Sequence, residues 1–340
     1  MKKIKIKYED LLNKEDLEIA FKDALKNKNK NRYDILTFLF NKNENLDKLF
    51  NKLNDENYTP KPYFKFILRD TKPREICAPV FEDSIIQRLI YNKLYKPLVD
   101  KTIYTNVGCK IGKGLFQLKN DVQKELMKYN EELFYLHLDI RKYFYSMDHE
   151  VIKRELMLLI KDKKLIDLIS KFFPTSKDQT VGIPIGNLVS QMIGMIFLNK
   201  MDHYIKRELK VKSYFRYVDD FLMIGLTKEQ VHLYEKCIIK FLKDNYNIEL
   251  SKIKFNKIKQ GVNFCGYRVF KNKILARKRN IKKFINSLKV CKPETIISRI
   301  EYTRGTNSFN FFIKLLMKYI KKFNVYLPKK VLNKFKIYII

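Results

Sequence analysis

Two adjacent aspartates set between apolar runs constrain this chain more than any other stretch. In Ser213-Tyr214-Phe215-Arg216-Tyr217-Val218-Asp219-Asp220-Phe221-Leu222-Met223-Ile224, aromatic and branched residues flank a two-residue polar tip, the pattern of a tight β-hairpin. Such tips usually carry Asn-Gly or Asp-Gly, because glycine supplies positive φ without a steric penalty. Asp219-Asp220 offers like charges and no glycine, so the turn is expected to be strained for a reason other than turn chemistry. A small hard dication such as Mg²⁺ would be such a reason, since oxygen ligands around a double positive charge turn repulsion into shared attraction.

The balance of charge points the same way. Lys and Arg number 70 against 37 Asp and Glu, a net charge of +33. Solubility needs far less, so a polyanionic partner is expected: nucleic acid first, an anionic membrane second, with a lysine-favouring codon bias as the third explanation. At 340 residues, 46% of them hydrophobic, the chain can bury a substantial core in two or three substructures. The five cysteines are scattered and form no C-x-x-C pair, which argues against a zinc site or a disulfide framework and for a reducing cytoplasm. Neither a signal-peptide apolar region nor a run of eighteen apolar residues is present, so no membrane span is expected.

Residues 7–58 alternate charged and apolar positions at helical spacing without Gly or Pro, which predicts two or three helices with no readable chemistry. Pro60 and Pro62 break that pattern. Tyr63 to Ile67 and Glu75 to Val80 read as antiparallel strands joined by the basic turn Arg69-Asp70-Thr71-Lys72-Pro73-Arg74. Arg forks match phosphate oxygens, so this hairpin suits a phosphate-rich ligand; a solvated turn is the plain alternative. Phe81 to Leu98 predicts a core helix. The loop from Gly108 to Gly114 lacks the G-x-x-x-x-G-K-[ST] spacing and reads as a basic loop near nucleic acid, not a P-loop.

Leu133 to Leu138 predicts a buried strand that ends at Asp139, and the ends of central strands are common places for chemistry. Asp148 is placed to cap a helix running to about Ile160. Gly182 to Asn187 predicts a rigid turn before one long helix over 188–209. Thr227 to Tyr246 has the spacing of an amphipathic helix, 248–258 reads as an extended basic segment, and Phe264 to Phe270 as a strand or hairpin bent at Gly266. The last seventy residues hold nineteen Lys and Arg against Glu294 and Glu301, about half the excess charge in a fifth of the chain. Helical spacing over 281–288 and 309–323 makes this a basic helical module suited to a duplex.

Taken singly, Asp139 reads as a cap or turn residue and Asp219-Asp220 as an acidic loop. If their strands neighbour in one sheet, the three carboxylates converge. Two Mg²⁺ ions held there about 3.5–4 Å apart, with Mn²⁺ as the alternative ion, would activate a 3′-hydroxyl and stabilise a departing pyrophosphate.

Several motifs in order now carry a family resemblance. Tyr217-Val218-Asp219-Asp220 resembles the Y-x-D-D signature of reverse transcriptases, Leu138 to Phe144 resembles their first palm motif, and Phe264-Cys265-Gly266-Tyr267 resembles their primer-grip turn. The resemblance spans about residues 60–300 and implies an α+β right-hand polymerase, with fingers, a palm built on an antiparallel sheet and a helical thumb. It implies a helical extension at 1–58, fingers at 59–132, palm at 133–270 with a fingers part at about 161–187, and a basic helical thumb at 271–340. Asp139, Asp219, Asp220 and the Ile140 carbonyl would hold metal. Arg74, with Arg69 or Lys72, would grip the triphosphate of a deoxynucleotide, and Lys252 or Lys254 would stand near the departing pyrophosphate. Phe144, five residues after Asp139, falls where the family places the ring that excludes a ribonucleotide 2′-hydroxyl.

The middle motif is more particular. Most reverse transcriptases show Gln-Gly followed by Ser-Pro, whereas this chain has Ile185-Gly186-Asn187-Leu188-Val189-Ser190-Gln191, which resembles the enzymes of diversity-generating retroelements. Loss of the glutamine hydrogen bond at Ile185 implies looser base selection and error-prone copying of a template RNA into cDNA opposite adenines. The resemblance also implies a small basic accessory protein. Departures are Asp83-Ser84, where relatives usually carry Asp-Arg, and the loosely matching segment Ser298 to Ser308. The alternatives are a defence-associated or retron-like reverse transcriptase, although no late Val-Thr-Gly is found, and a non-catalytic RNA-binding protein. Three retained carboxylates argue against the last, because a binder gains nothing from buried, repelling charges.

Overall fold

The computed structural model describes residues 2–69, 73–290, 293–323 and 335, with the backbone alone at Arg69, Pro293, Lys322 and Phe323. In chain order the elements are α1 (Lys14–Leu25), α2 (Tyr33–Phe40), α3 (Lys42–Asn54), β1 (Phe64–Arg69), β2 (Pro73–Ala78), α4 (Phe81–Val99), α5 (Leu115–Leu126) and β3 (Phe134–Ile140). Then follow α6 (His149–Leu159), α7 (Lys163–Ser170), α8 (Leu188–Ile196), α9 (Asn199–Arg207), β4 (Ser213–Tyr217), β5 (Asp220–Leu226), α10 (Lys228–Tyr246) and β6 (Leu250–Lys257). The chain continues through β7 (Val262–Phe264), β8 (Tyr267–Val269), β9 (Ile274–Ala276), α11 (Lys278–Val290), α12 (Pro293–Glu301) and α13 (Phe309–Phe323). Two compact units result: Met1–Ile111, Asp139–Val211 and Lys236–Lys252 form the first, and Gly112–Leu138, Lys212–Glu235 and Ile253–Ile340 the second.

In the first unit the helices of residues 7–58 have a definite task. α1 buries Leu17, Ala20, Phe21 and Ala24. Phe21, Phe38 and Phe81 pack as an aromatic trio, with ring centroids 5.2 Å apart between Phe38 and Phe81 and 5.8 Å between Phe21 and Phe38. Asp34 on α2 also accepts the Phe81 amide at 2.8 Å, satisfying the first N–H of α4 from a distant segment. Sequence spacing showed the helices and could not show that α4 is what they cover.

Local signals set most boundaries. Asp148 caps α6 by accepting from the amides of Glu150 and Val151 at 2.8 and 3.0 Å. Asn187 caps α8 through the Ser190 amide at 2.6 Å. The single helix expected over 188–209 is two, α8 and α9, because the chain leaves helical geometry at Leu198, with φ −96° and ψ 19°. Apolar spacing runs across that break without marking it.

One sheet has four strands in the order β4-β5-β3-β6, and another has three in the order β7-β8-β9. The unit boundary falls within β3, after Leu138, and within β6, after Lys252. Beyond β9, Phe284, Leu288, Ile296, Ile300, Phe312 and Leu316 form a separate apolar core among α11, α12 and α13. Amphipathic basic helices must bury such a stripe somewhere, and three of them bury it against one another.

Candidate active site

The acidic hairpin is present, with its tip one residue earlier than expected. β4 and β5 pair antiparallel with Tyr217 opposite Asp220, so the two-residue loop is Val218-Asp219 and Asp220 is already in the ladder. Val218 takes the strain: its φ is +61°, in the left-handed region that a β-branched side chain avoids. Positive φ at the first loop position alone is the type II′ requirement, which glycine normally meets. A residue held there costs roughly 1–3 kcal/mol. Arg216, fully buried, donates from Nη1 to the Val218 carbonyl at 2.9 Å and so props the strained turn from within.

Asp220 is held as tightly. One carboxylate oxygen meets Nε2 of His137, which is only 2% exposed, and the other accepts from the Cys265 thiol at 3.8 Å. His137 lies in the middle of β3 and packs edge-on against Phe264 at 5.5 Å. Asp220 is therefore tied to β3 and to the β7–β8 turn at once. That turn is Cys265-Gly266, and both residues have positive φ, +44° and +92°, as a type I′ hairpin requires. Asp219 is half-buried on the loop itself.

In the first unit, Asp139 is half-buried near the end of β3, and its carboxylate accepts from the Ser251 hydroxyl. Ile140 is buried, and Lys142 at φ +50° turns the chain into a short 3-10 segment, Tyr143–Tyr145. Phe144 is fixed there: its carbonyl accepts from the Ile183 amide at 2.8 Å. The neighbouring Tyr143 hydroxyl donates to the Gly194 carbonyl of α8 at 3.0 Å.

The middle motif is built into the same unit. Cys77 of β2 donates its amide to the Ile185 carbonyl at 2.7 Å. Gly186, at φ +118°, lies so close to Ile76 that a Cβ would come within 2.7 Å of that side chain. Asn187 Nδ2 donates to the Tyr63 hydroxyl at 2.9 Å, and Gln87 Oε1 accepts from the Leu188 amide at 2.9 Å. Beside these groups opens a cavity of about 220 Å³ lined by Lys28, Ser84, Gln87, Arg88, Gly186 and Gln191, among others. Burial, then the nearby guanidinium groups of Arg32 and Arg88, hold the Lys28 ammonium pKa below its ordinary value. The Gln87 amide nitrogen faces this region buried and without a hydrogen-bond partner.

Residues 60–269 match the family model of the reverse transcriptase (RNA-dependent DNA polymerase) domain. The chain belongs to the reverse transcriptase family. Among curated relatives, the group II intron-encoded protein LtrA of Lactococcus lactis subsp. cremoris is 24% identical over 220 residues, 60% of this chain and 36% of that protein. An uncharacterized 91 kDa protein in the cob intron of Schizosaccharomyces pombe is 24% identical over 186 residues, 51% of this chain and 22% of the relative. The chain thus spans about a third or less of the length of these relatives. Among solved structures, telomerase from Candida albicans in complex with a fragment of telomeric RNA superposes with a TM-score of 0.51 at 11% identity, covering 79% of this chain and 57% of that one. The fold is accordingly the α+β right-hand polymerase fold.

Reverse transcriptase domains work with divalent metals, and hard carboxylate oxygens are what such ions take. Among the described residues no three His, Cys, Asp or Glu side chains already stand together as a metal cage. The carboxylates of Asp139 and Asp220 are instead occupied by Ser251 and by His137 with Cys265. Of the expected triphosphate contacts, Arg74 is exposed on β2, Lys72 lies outside the described residues, and of Arg69 only the backbone is described. Lys252 is half-buried on β6 and Lys254 exposed. Among the described residues no helix is long and apolar enough to cross a membrane.

Sequence reasoning overlooked Arg216, His137, Ser251, Lys28 and Gln87. His137 and Arg216 did leave a signal, each being a polar side chain inside an otherwise apolar strand. Such a residue is buried with a partner or the strand does not form. In the Asp83-Ser84 pair the departure lies at Ser84, while Asp83 is structural: buried at 2% exposure, it accepts from the Tyr58 hydroxyl at 2.6 Å and the Lys61 amide at 2.9 Å.

Proposed function

We propose that this reverse transcriptase-family chain is an RNA-directed DNA polymerase that extends a primer with deoxynucleotides on a template RNA. The observation that carries the reading is the Val218-Asp219 turn, strained at Val218, braced by buried Arg216 and followed by an Asp220 that His137 and Cys265 hold in place. Such investment in the position of two carboxylates suits preorganised electrostatics better than a solvated loop. Asp139, Asp219 and the Ile140 carbonyl are the groups that would hold divalent ions, taken to be Mg²⁺ with Mn²⁺ as the substitute. Asp220 is the further carboxylate of the set, its oxygens engaged by His137 and Cys265. When bound, the ions supply positive charge at the 3′-oxygen and at the departing pyrophosphate. The chain's own groups do the positioning: Arg74, with Arg69 or Lys72, on the triphosphate; Phe144 against the sugar; Ile185, Gly186 and Gln191 about the incoming base; Lys252 near the pyrophosphate. The turn from Phe264 to Tyr267 would carry the primer end. Residues 59–132 serve as fingers, 133–270 as palm with a fingers part at about 161–187, and 271–340 as thumb, behind the helical extension 1–58.

Within the family we assign it to the diversity-generating type, working with a small basic accessory protein. Support comes from Ile185 in place of the usual glutamine, whose carbonyl is engaged by Cys77 while its apolar side chain offers the nucleotide no hydrogen bond. Primer extension on an RNA template with Mg²⁺ tests both levels. Asp219→Asn is expected to reduce extension by at least about 10³-fold, the scale of lost transition-state charge stabilisation, while RNA binding persists. An active Asp219→Asn variant would remove the metal assignment. Sequencing the product is expected to show misincorporation concentrated opposite template adenines; uniform fidelity would overturn the diversity-generating assignment and leave the polymerase.

A further inference from the structure

We propose that Gly194 is a positioning residue for sugar selection: by lacking a side chain it lets the Phe144 ring seat against α8, and so sets how far that ring stands into the space of the nucleotide sugar. The proposal rests on the reading of Phe144 as the group that meets the sugar. Gly194 lies in the last turn of α8 and is not at positive φ, so its backbone does not require glycine. Alanine is the stronger helix former at such a position. The reason for glycine must be sought in packing, and the packing partner is specific. A Cβ at position 194 would stand 2.9 Å from Cε1 and 3.0 Å from Cζ of Phe144. Carbon atoms settle at about 3.5–4.0 Å, so the ring edge would have to retreat by roughly 0.6 Å or more.

The surroundings restrict where it can go. The Phe144 carbonyl is held by the Ile183 amide at 2.8 Å, and the Tyr143 hydroxyl ties the adjacent residue to the Gly194 carbonyl through a buried bond of 3.0 Å. The Tyr143 ring packs edge-on to both Phe144, at 5.4 Å, and Phe197, at 6.1 Å. With the backbone pinned and the flank filled, a side chain at 194 drives the ring away from α8 and toward its exposed side. Gly194 therefore acts as a spacer: the smallest residue there gives the ring its deepest seat, and any larger one advances it.

Steady-state incorporation of dATP and ATP on an RNA template with a DNA primer tests this. Gly194→Ala is expected to raise the dATP-to-ATP ratio of kcat/KM by on the order of tenfold, mainly through KM, since displacements approaching 1 Å at a reacting ligand alter rates by up to about 10²-fold. Primer–template affinity should stay within twofold of the native chain. In the Phe144→Ala background the same substitution should leave the ratio where Phe144→Ala alone puts it. An unchanged or lowered ratio in Gly194→Ala, or an equal shift with and without the ring, overturns the proposal. Should Phe144→Ala by itself leave sugar selection unaltered, the reading of Phe144 fails and the spacer role fails with it, a result distinct from failure of Gly194 alone. If Gly194→Ala does not fold, Tyr143→Phe decides: loss of its tie to Gly194 is expected to lower the ratio, and an unchanged ratio overturns the proposal.

Discussion

Burial pushes the Asp83 carboxyl up to about 6, although the Tyr58 hydroxyl and the Lys61 amide both favour its charged form. An acid raised in this way keeps its proton in the folded chain after the unfolded chain has lost it. Stability then falls as pH rises through about 4 to 6, by roughly 2–3 kcal/mol, and levels off above. Asp83→Asn removes that slope and one acceptor. Its deficit against the native chain is expected to be largest near pH 4 and to shrink by about 2–3 kcal/mol by pH 7, measured by paired thermal melts. A deficit that does not change with pH would show that Asp83 is charged throughout. The same scale explains what sequence reading could and could not find. Asp219 and Asp220 were legible because two adjacent acids among apolar residues are chemically unusual. Val218 was not, because nothing in a valine announces positive φ; the register Tyr217 to Asp220 imposes it.

Among the elements, the β7–β8 hairpin depends on its loop most strictly. Gly266 has φ +92°, and a Cβ there would come within 2.3 Å of the Tyr302 hydroxyl. That hydroxyl belongs to a ring stacked on Tyr267 at 4.5 Å and 7°, while the Tyr267 hydroxyl donates to the Tyr302 carbonyl at 2.8 Å. Lys119 of α5, 2% exposed, closes the group by donating to the Gly305 carbonyl at 2.7 Å with its ammonium over the Phe116 ring at 4.2 Å. Gly266→Ala meets both the backbone penalty and the contact, so it is expected to destabilise the chain by about 2–4 kcal/mol in denaturant titration. Its KM for primer–template should rise as well. An alanine variant with native stability would mean that the turn rearranges freely and carries no positional information. The hairpin itself was legible from Phe264-Cys265-Gly266-Tyr267, whereas its Tyr302 and Lys119 supports lie 35 and 148 positions from Tyr267 in sequence and no local pattern links them.

For the molecule as a whole, the excess of 33 positive charges makes a salt-dependent prediction. If six to ten phosphates are neutralised in the complex, affinity for an RNA–DNA duplex should drop by about 10³–10⁵ between 50 and 200 mM salt. A shallow dependence in filter binding would assign the charge to something other than the nucleic-acid contact. The sequence by itself determined much of the local structure: the acidic hairpin, the strand that carries Asp139, the helix cap at Asp148, and the basic terminal helices. Each follows from side-chain periodicity, capping or charge within a few residues, and such short-range terms survive without a fold. The tertiary structure alone decided which neighbour each group received: His137 and Cys265 for Asp220, Ser251 for Asp139, α4 for the N-terminal helices, and Gly194 for Phe144. These pairings depend on loop closure and close packing over tens to more than a hundred residues, where many partners are chemically equivalent and only the assembled core distinguishes them.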